Sequence, residues 1–243
     1  MSISSLEKIV TIIGSLGTFG AALIAWRTLA EIKKQRFAAQ KPQILFKSFT
    51  SGSLDLNDFQ KIISTNWKGN NDNFKNHILF EMINAGKDLA KDFKFEYKLN
   101  IDSFIALIEQ HDKEKEISIQ QDNNWLIFSS STNRINKRIS LKVNAGETDN
   151  LEYLLNRAIQ EKPSGFSIPE EYLVLNSCLL YLSLKYEFTI YTDDVPKIYV
   201  KTTFEDISGK KDYIYQTIDT FYFRNGEFHF SLKKITEKRF YAA

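Results

Sequence analysis

Eighteen consecutive residues, Ile9 to Trp26, carry no charge. No other feature constrains the chain as strongly. A helix over this run reaches about 27 Å, just short of a ~30 Å hydrocarbon core. Trp26 and Arg27 then fall where an interfacial aromatic and a snorkelling cation belong. A cleaved leader would start with positive charge, but Glu7 and Lys8 cancel and the cations follow the apolar run. A buried core helix would be shorter or amphipathic, and an interfacial helix would carry a charged face. The run predicts a single transmembrane helix.

The flanks set its direction. Lys8 stands alone before the run, whereas Arg27, Lys33, Lys34, Arg36 and Lys41 follow it. By the positive-inside rule the N-terminus is outside and the rest is cytoplasmic, at the inner membrane of a cell. The single Cys and the absence of an Asn-x-Ser/Thr sequon agree with that side. Helix formers with an Arg27/Glu31 pair continue to Gln40, and Pro42 is the first breaker. Residues 1–41 therefore read as a transmembrane helix and basic stalk. Arg27, Lys33, Lys34 and Arg36 form a membrane-surface basic group. Gly14, Thr18, Ala21, Ala25 and Thr28 recur at spacings of four and three, with Gly17 beside them. Small residues on such a repeat permit close helix approach, to a second copy or to a partner membrane helix.

Residues 42–243 read as one mainly β domain with helices, an α+β or β-sandwich-like fold with two helical insertions. The 243-residue chain is 43% hydrophobic and 26% charged, which excludes disordered and low-complexity classes. Its excess positive charge lies before residue 43; the remainder has a slight acidic balance, which argues against a nucleic-acid partner.

Strands are expected at 43–49, 77–83, 92–99, 116–120, 125–129 and 138–143, with a long loop over 50–76 and a helical turn at 58–63 within it. Phe93, Phe95, Tyr97 and Leu99 alternate with Lys94, Glu96 and Lys98, the period of a half-buried strand. Residues 103–109 fit either a helix or a strand. Helices are expected at 149–161, from the stripe Leu151, Leu154, Leu155, Ala158, Ile159, and at 169–182, led by Pro169 and Glu170-Glu171. A meander follows over 197–234, with turns at Ser208-Gly209-Lys210 and Asn225-Gly226.

An apolar helix ending in Trp-Arg, a basic stalk and the Asn84-Ala-Gly86-Lys-Asp-Leu-Ala90-Lys-Asp unit resemble a loose set of bacterial membrane-anchored proteins. Asn84, Gly86, Ala90 and Phe93 fit their Asn-x-Gly-x-x-Ala-x-x-Val-like turn. Pro169, Tyr172 and Leu173 fit their Pro-led helix. The segment Phe204 to Tyr213 fits their Tyr-x-Asp-Ile-x-Gly-Lys-Lys-Tyr-like hairpin, with Phe204 for the first Tyr and Asp212 inserted. The resemblance implies a cytoplasmic immunoglobulin-like β-sandwich and carries no activity.

The chemistry-bearing residues point to no enzyme. No Gly-x-Ser-x-Gly elbow, Walker loop, His-Glu-x-x-His or paired Cys motif occurs. One Cys and three His supply no cofactor or metal site, and no catalytic residue is assigned. Cys178 reads as a buried small hydrophobe, His77, His111 and His229 as surface residues, and Asp193-Asp194 as a solvated pair. Lys233-Lys234 with Lys238-Arg239 reads as a basic tail. Two functions remain. One is a sensor or binding domain for a cytoplasmic protein or ligand, whose helices cluster in the bilayer as an oligomerising effector. Single-helix anchors on sensor domains among prokaryotic antiviral effectors are the analogy for it. The other is a passive tethered binding module.

Overall fold

The computed structural model describes residues 3–54, 67–69, 78–130, 138–142, 149–155, 164–222 and 227–242. The chain opens with helix α1 (Ile3–Gln40) and continues through β1 (Ile44–Phe46), β2 (Phe49–Leu54), β3 (Trp67–Gly69), β4 (Leu79–Asn84) and β5 (Ala90–Leu99). Helix α2 (Ile101–His111), β6 (Ile117–Asp122), β7 (Trp125–Ser130), β8 (Arg138–Lys142), β9 (Asp149–Leu154) and β10 (Ser164–Ser167) come next. Helix α3 (Glu170–Tyr186), β11 (Ile198–Glu205), β12 (Lys211–Tyr222), β13 (Glu227–Lys234) and α4 (Glu237–Tyr241) complete it.

The fold is a strand-rich mixture of helix and sheet. An antiparallel seven-stranded sheet has the order β3-β2-β13-β12-β11-β5-β9. Period-two alternation turns Phe93, Phe95 and Tyr97 of β5 and Ile198, Val200 and Phe204 of β11 into one buried face. Ile218 on β12 and Phe228, Phe230 and Leu232 on β13 extend that face. The small sheet β1-β4-β10 covers one part of it: the Phe166 ring lies 5.1 Å from Phe95 and 5.4 Å from Phe80. Helix α3 covers another part, with Tyr172 6.4 Å from Phe230, and Phe104 of α2 packs edge-on against Tyr172. The third sheet, β6-β7-β8, contributes Leu126 and Phe128 to the same core. Aromatic rings of this size remove large apolar areas from water and are the main source of cohesion.

Several expectations are corrected. The strand expected over 43–49 divides between β1 and β2, which belong to different sheets. Residues 50–76, read as loop, contain most of β2 and all of β3; the expected turn at 58–63 lies outside the described residues. The helix expected at 149–161 begins instead as strand β9, and 156–161 lie outside the described residues. Leu151 and Leu154 pair with Phe93 and Ala90, so the open edge of β5 overrides a helical stripe. The ambiguous segment 103–109 is helical, capped by Asn100, whose side chain accepts from Ser103 N–H. The helical insertions are thus α2 and α3. Of the basic tail, Lys233 and Lys234 end strand β13, whereas Lys238 and Arg239 lie on helix α4, capped by Thr236 and pinned by the buried Phe240 ring 5.4 Å from Tyr215.

Helix α1 meets the domain at a polar joint. Asn84 is fully buried, and its Oδ1 accepts from the N–H groups of Gln43 at 3.1 Å and Gly86 at 3.0 Å. Its Nδ2 donates to the carbonyls of Asp88 at 2.6 Å and Leu154 at 3.4 Å. Gly86 packs so tightly that an added Cβ would lie 2.2 Å from the Lys41 carbonyl oxygen. The β11–β12 turn stands beside this exit. Hydrogen bonds from Ser208 and Lys210, with a smaller contribution from Lys41, hold the Asp206 carboxyl below the usual carboxylate range.

Asn84→Ala is therefore expected to lower unfolding free energy by about 1–3 kcal/mol, because it leaves buried N–H and C=O groups unpaired. Gly86→Ala is expected to do comparable damage by steric overlap. Urea melts of the full chain in detergent, followed by tyrosine fluorescence, check both; an unchanged midpoint for either would remove the joint's structural role.

Candidate functional site

Two regions have functional character, the free face of α1 and a pocket at the far end of α3. Helix α1 spans 38 residues without a break. Side chains 17–36 are exposed apart from partly covered Gly20, with Phe19 at 67% and Trp26 at 69%. Nothing lies within 4 Å of a Cβ built on Gly17. Thr18, Ala21, Ala25 and Thr28 are exposed on the same helix; Gly14 is helical, and its surroundings lie outside the described side chains. The Thr28 hydroxyl donates to the Ile24 carbonyl at 2.9 Å, which satisfies it within the helix. Arg27, Lys33, Lys34 and Arg36 are exposed. Across the described side chains, which for α1 means 17–36, no helix is long and apolar enough to cross a membrane.

The pocket arises from how α3 ends. Buried on nearly every side, α3 is held over the sheet by a polar interior rather than by an amphipathic stripe. The Tyr172 hydroxyl and Thr220 Oγ1 share a hydrogen bond at 2.7 Å; Tyr222 donates to Asn176 Oδ1, and Asn176 Nδ2 donates to the Tyr172 carbonyl at 2.6 Å. Burial pushes both tyrosine hydroxyls well above their ordinary range. At the C-terminus Glu187 turns left-handed, at φ 53° and ψ 38°, and its N–H caps the Ser183 carbonyl. Phe188 N–H reaches the same carbonyl at 3.2 Å, and Ser183 Oγ donates to Phe188 O at 2.6 Å. His111 stacks on Phe188 at 4.0 Å. This turn and Tyr222 border a solvent-open pocket of about 500 Å³, lined by Leu180, Ser183, Leu184, Phe188, Thr189 and Ile190, with Glu187 on its wall. That volume suits a small ligand.

A charged cluster lies near the same helix end. Lys185 Nζ sits 2.6 Å from both Glu114 and Glu116, and Tyr181 donates to Glu116 at 3.0 Å. Partial burial and the Glu116 carboxylate push the Tyr181 hydroxyl up to about 12. The cluster ties the segment before β6 to α3, an architectural use of its charges.

The other chemistry-bearing residues take structural places. Cys178 is buried within α3, and burial pushes its thiol up to about 12. His229 is half-buried between the buried Phe228 and Phe230. Asp193 pairs with Lys197 at 3.5 Å, and Lys233 with Asp219 at 2.6 Å. His77 and the Asn225-Gly226 turn lie outside the described residues. Among the described residues no three His, Cys, Asp or Glu side chains gather as metal ligands. The pocket escapes a reading of sequence because its wall joins α3 to a residue 35 positions after Glu187, Tyr222. The Leu180/Leu184 spacing was its one local signal. Comparison with protein-family models, curated proteins and solved structures finds no match for the chain.

Cys178 is expected to resist alkylation at pH 8 in the native chain and to react once guanidinium unfolds it. Its raised thiol value also sets a pH trend. Above the ordinary value of 9.0 the unfolded chain gains by ionising, so stability falls as pH climbs from there toward about 12. Thiol titration with and without denaturant, and melting at pH 8 and 10, check this; rapid native labelling would contradict it.

Proposed function

We propose that the chain is a single-pass inner-membrane protein that holds a cytoplasmic binding domain at the membrane surface, where the domain senses a ligand or partner. The carrying observation is the exposure of α1. Phe19, Leu23, Ile24, Trp26, Leu29 and Ile32 all project from a helix that no other part of the described fold covers. Water is a poor environment for such a surface, and a bilayer is a good one over the uncharged run Ile9 to Trp26. The exposed cations Arg27, Lys33, Lys34 and Arg36 then mark the cytoplasmic side. The resemblance to membrane-anchored proteins with an immunoglobulin-like sandwich agrees with a tethered module.

The sensing half of the reading draws on the pocket at the end of α3, which offers a small molecule a mixed lining of leucines, Phe188 and hydroxyl groups with one carboxylate. The exposed Gly17, Thr18, Ala21, Ala25 and Thr28 provide a face on which two membrane helices can approach closely, as an oligomerising effector of a bacterial antiviral defence system would require. A passive tether needs no such face.

Phe19→Arg tests the anchor. A charge near the middle of a spanning helix costs roughly 2.5–3.5 kcal/mol on insertion scales, so a share of the chain should move to the soluble fraction after carbonate extraction. Unaltered wild-type chain released by carbonate would overturn the anchor. Ala21→Ile and Ala25→Ile separate the two tethered forms. Loss of crosslinked oligomers with membrane attachment intact supports the effector, whereas unchanged crosslinking favours the passive tether.

A further inference from the structure

Glu187 breaks two local rules at once. The residue that closes a helix in the left-handed region is usually glycine or asparagine, because a side chain with a Cβ is strained there. Glu187 occupies that position at φ 53°. The C-terminal end of a helix also carries partial negative charge and favours cations, yet this end carries a carboxylate. Glu187 is exposed and forms no ion pair among the described residues. The nearest cation in sequence, Lys185, is committed at 2.6 Å to both Glu114 and Glu116, and Lys113 stands over the Tyr186 ring. The left-handed turn lets the Glu187 and Phe188 N–H groups cap the Ser183 carbonyl, but that return needs the backbone conformation and not a carboxylate. Asp92, Lys115 and Asn123 also take positive φ, and of these four Glu187 lines the pocket at the end of α3.

The cavity supplies the function. Glu187 sits on the wall of a solvent-open space of about 500 Å³ whose remaining lining sets Leu180, Leu184, Phe188 and Ile190 beside the hydroxyl-bearing Ser183, Thr189 and Tyr222. The charged group on that wall is negative, and the helix end adds to its potential. We propose that this pocket, the sensing site of the reading above, binds a small organic cation: a primary ammonium on Glu187 with a short hydrocarbon body against the leucines and Phe188. A carboxylate ligand would meet repulsion from Glu187, and a neutral one would leave that charge unused.

The test uses the full chain in phosphatidylcholine nanodiscs, with butylammonium, butanoate and butanol as probes followed by saturation-transfer NMR. Empty nanodiscs give the lipid background. Butylammonium should bind at least tenfold tighter than butanol, and butanoate should not bind. Glu187→Gln should bring butylammonium to the level of butanol and leave butanol unchanged. Glu187→Gly should raise the melting temperature, since it relieves the left-handed strain, and abolish the preference for the cation. Equal binding of all three probes, no binding of butylammonium, or an unchanged affinity in Glu187→Gln would overturn the proposal. Incorporation into nanodiscs is read separately by sedimentation, so a chain that incorporates and ignores butylammonium loses this site while keeping its anchor.

Discussion

The structure depends on one buried amide. Asn84 uses both ends of its side chain, with Oδ1 on the Gln43 and Gly86 N–H groups and Nδ2 on the Asp88 and Leu154 carbonyls. Through it the exit of α1, the end of β4 and the end of β9 are fixed to one another. β4 and β9 belong to different sheets, so the same residue aligns the layers and fastens the chain just after α1. A buried amide of this kind gains little when paired and costs much when it is not, which makes the arrangement specific. The close approach of Gly86 to the Lys41 carbonyl completes the joint, since a side chain there would force the helix exit away.

A second polar set does for α3 what Asn84 does for α1. Tyr172, Thr220, Asn176 and Tyr222 fix the height and rotation of a helix that is buried almost all round. An apolar helix on an apolar sheet has many near-equivalent seatings; paired hydroxyls and an amide leave one. That seating also positions Leu180 and Leu184 opposite Tyr222, and so creates the pocket. Architecture and candidate site thus share the same hydrogen bonds.

Local patterns were legible wherever a strand faces water on one side. The alternation of Phe93, Phe95 and Tyr97 with lysines and glutamate gave β5, and the meander of β11, β12 and β13 follows from the same period. The run of helix formers to Gln40 before Pro42 gave the C-terminal end of α1, which starts at Ile3, ahead of the uncharged run. What failed did so for tertiary reasons. Leu151 and Leu154 read as a helical stripe, but β5 offered an unpaired edge and took them as β9. The helix α4 is a single turn whose stability rests on Phe240 against Tyr215, a contact invisible in sequence. Asn84 and Gly86 stood out as turn residues; their role in holding residues 41–43 could not be seen, because the partners lie more than 40 positions away. Glu187 carried no signal at all, since its left-handed conformation exists only in the folded chain.

If Asn84 fixes the exit of α1 to the sheets, α1 and the domain hold one relative orientation. Pulsed electron-electron spin resonance between labels at Glu31→Cys and Lys210→Cys, in the full chain in nanodiscs, tests this most directly. One narrow distance distribution is expected, broadening in Asn84→Ala. A distribution already broad with Asn84 in place would contradict the claim.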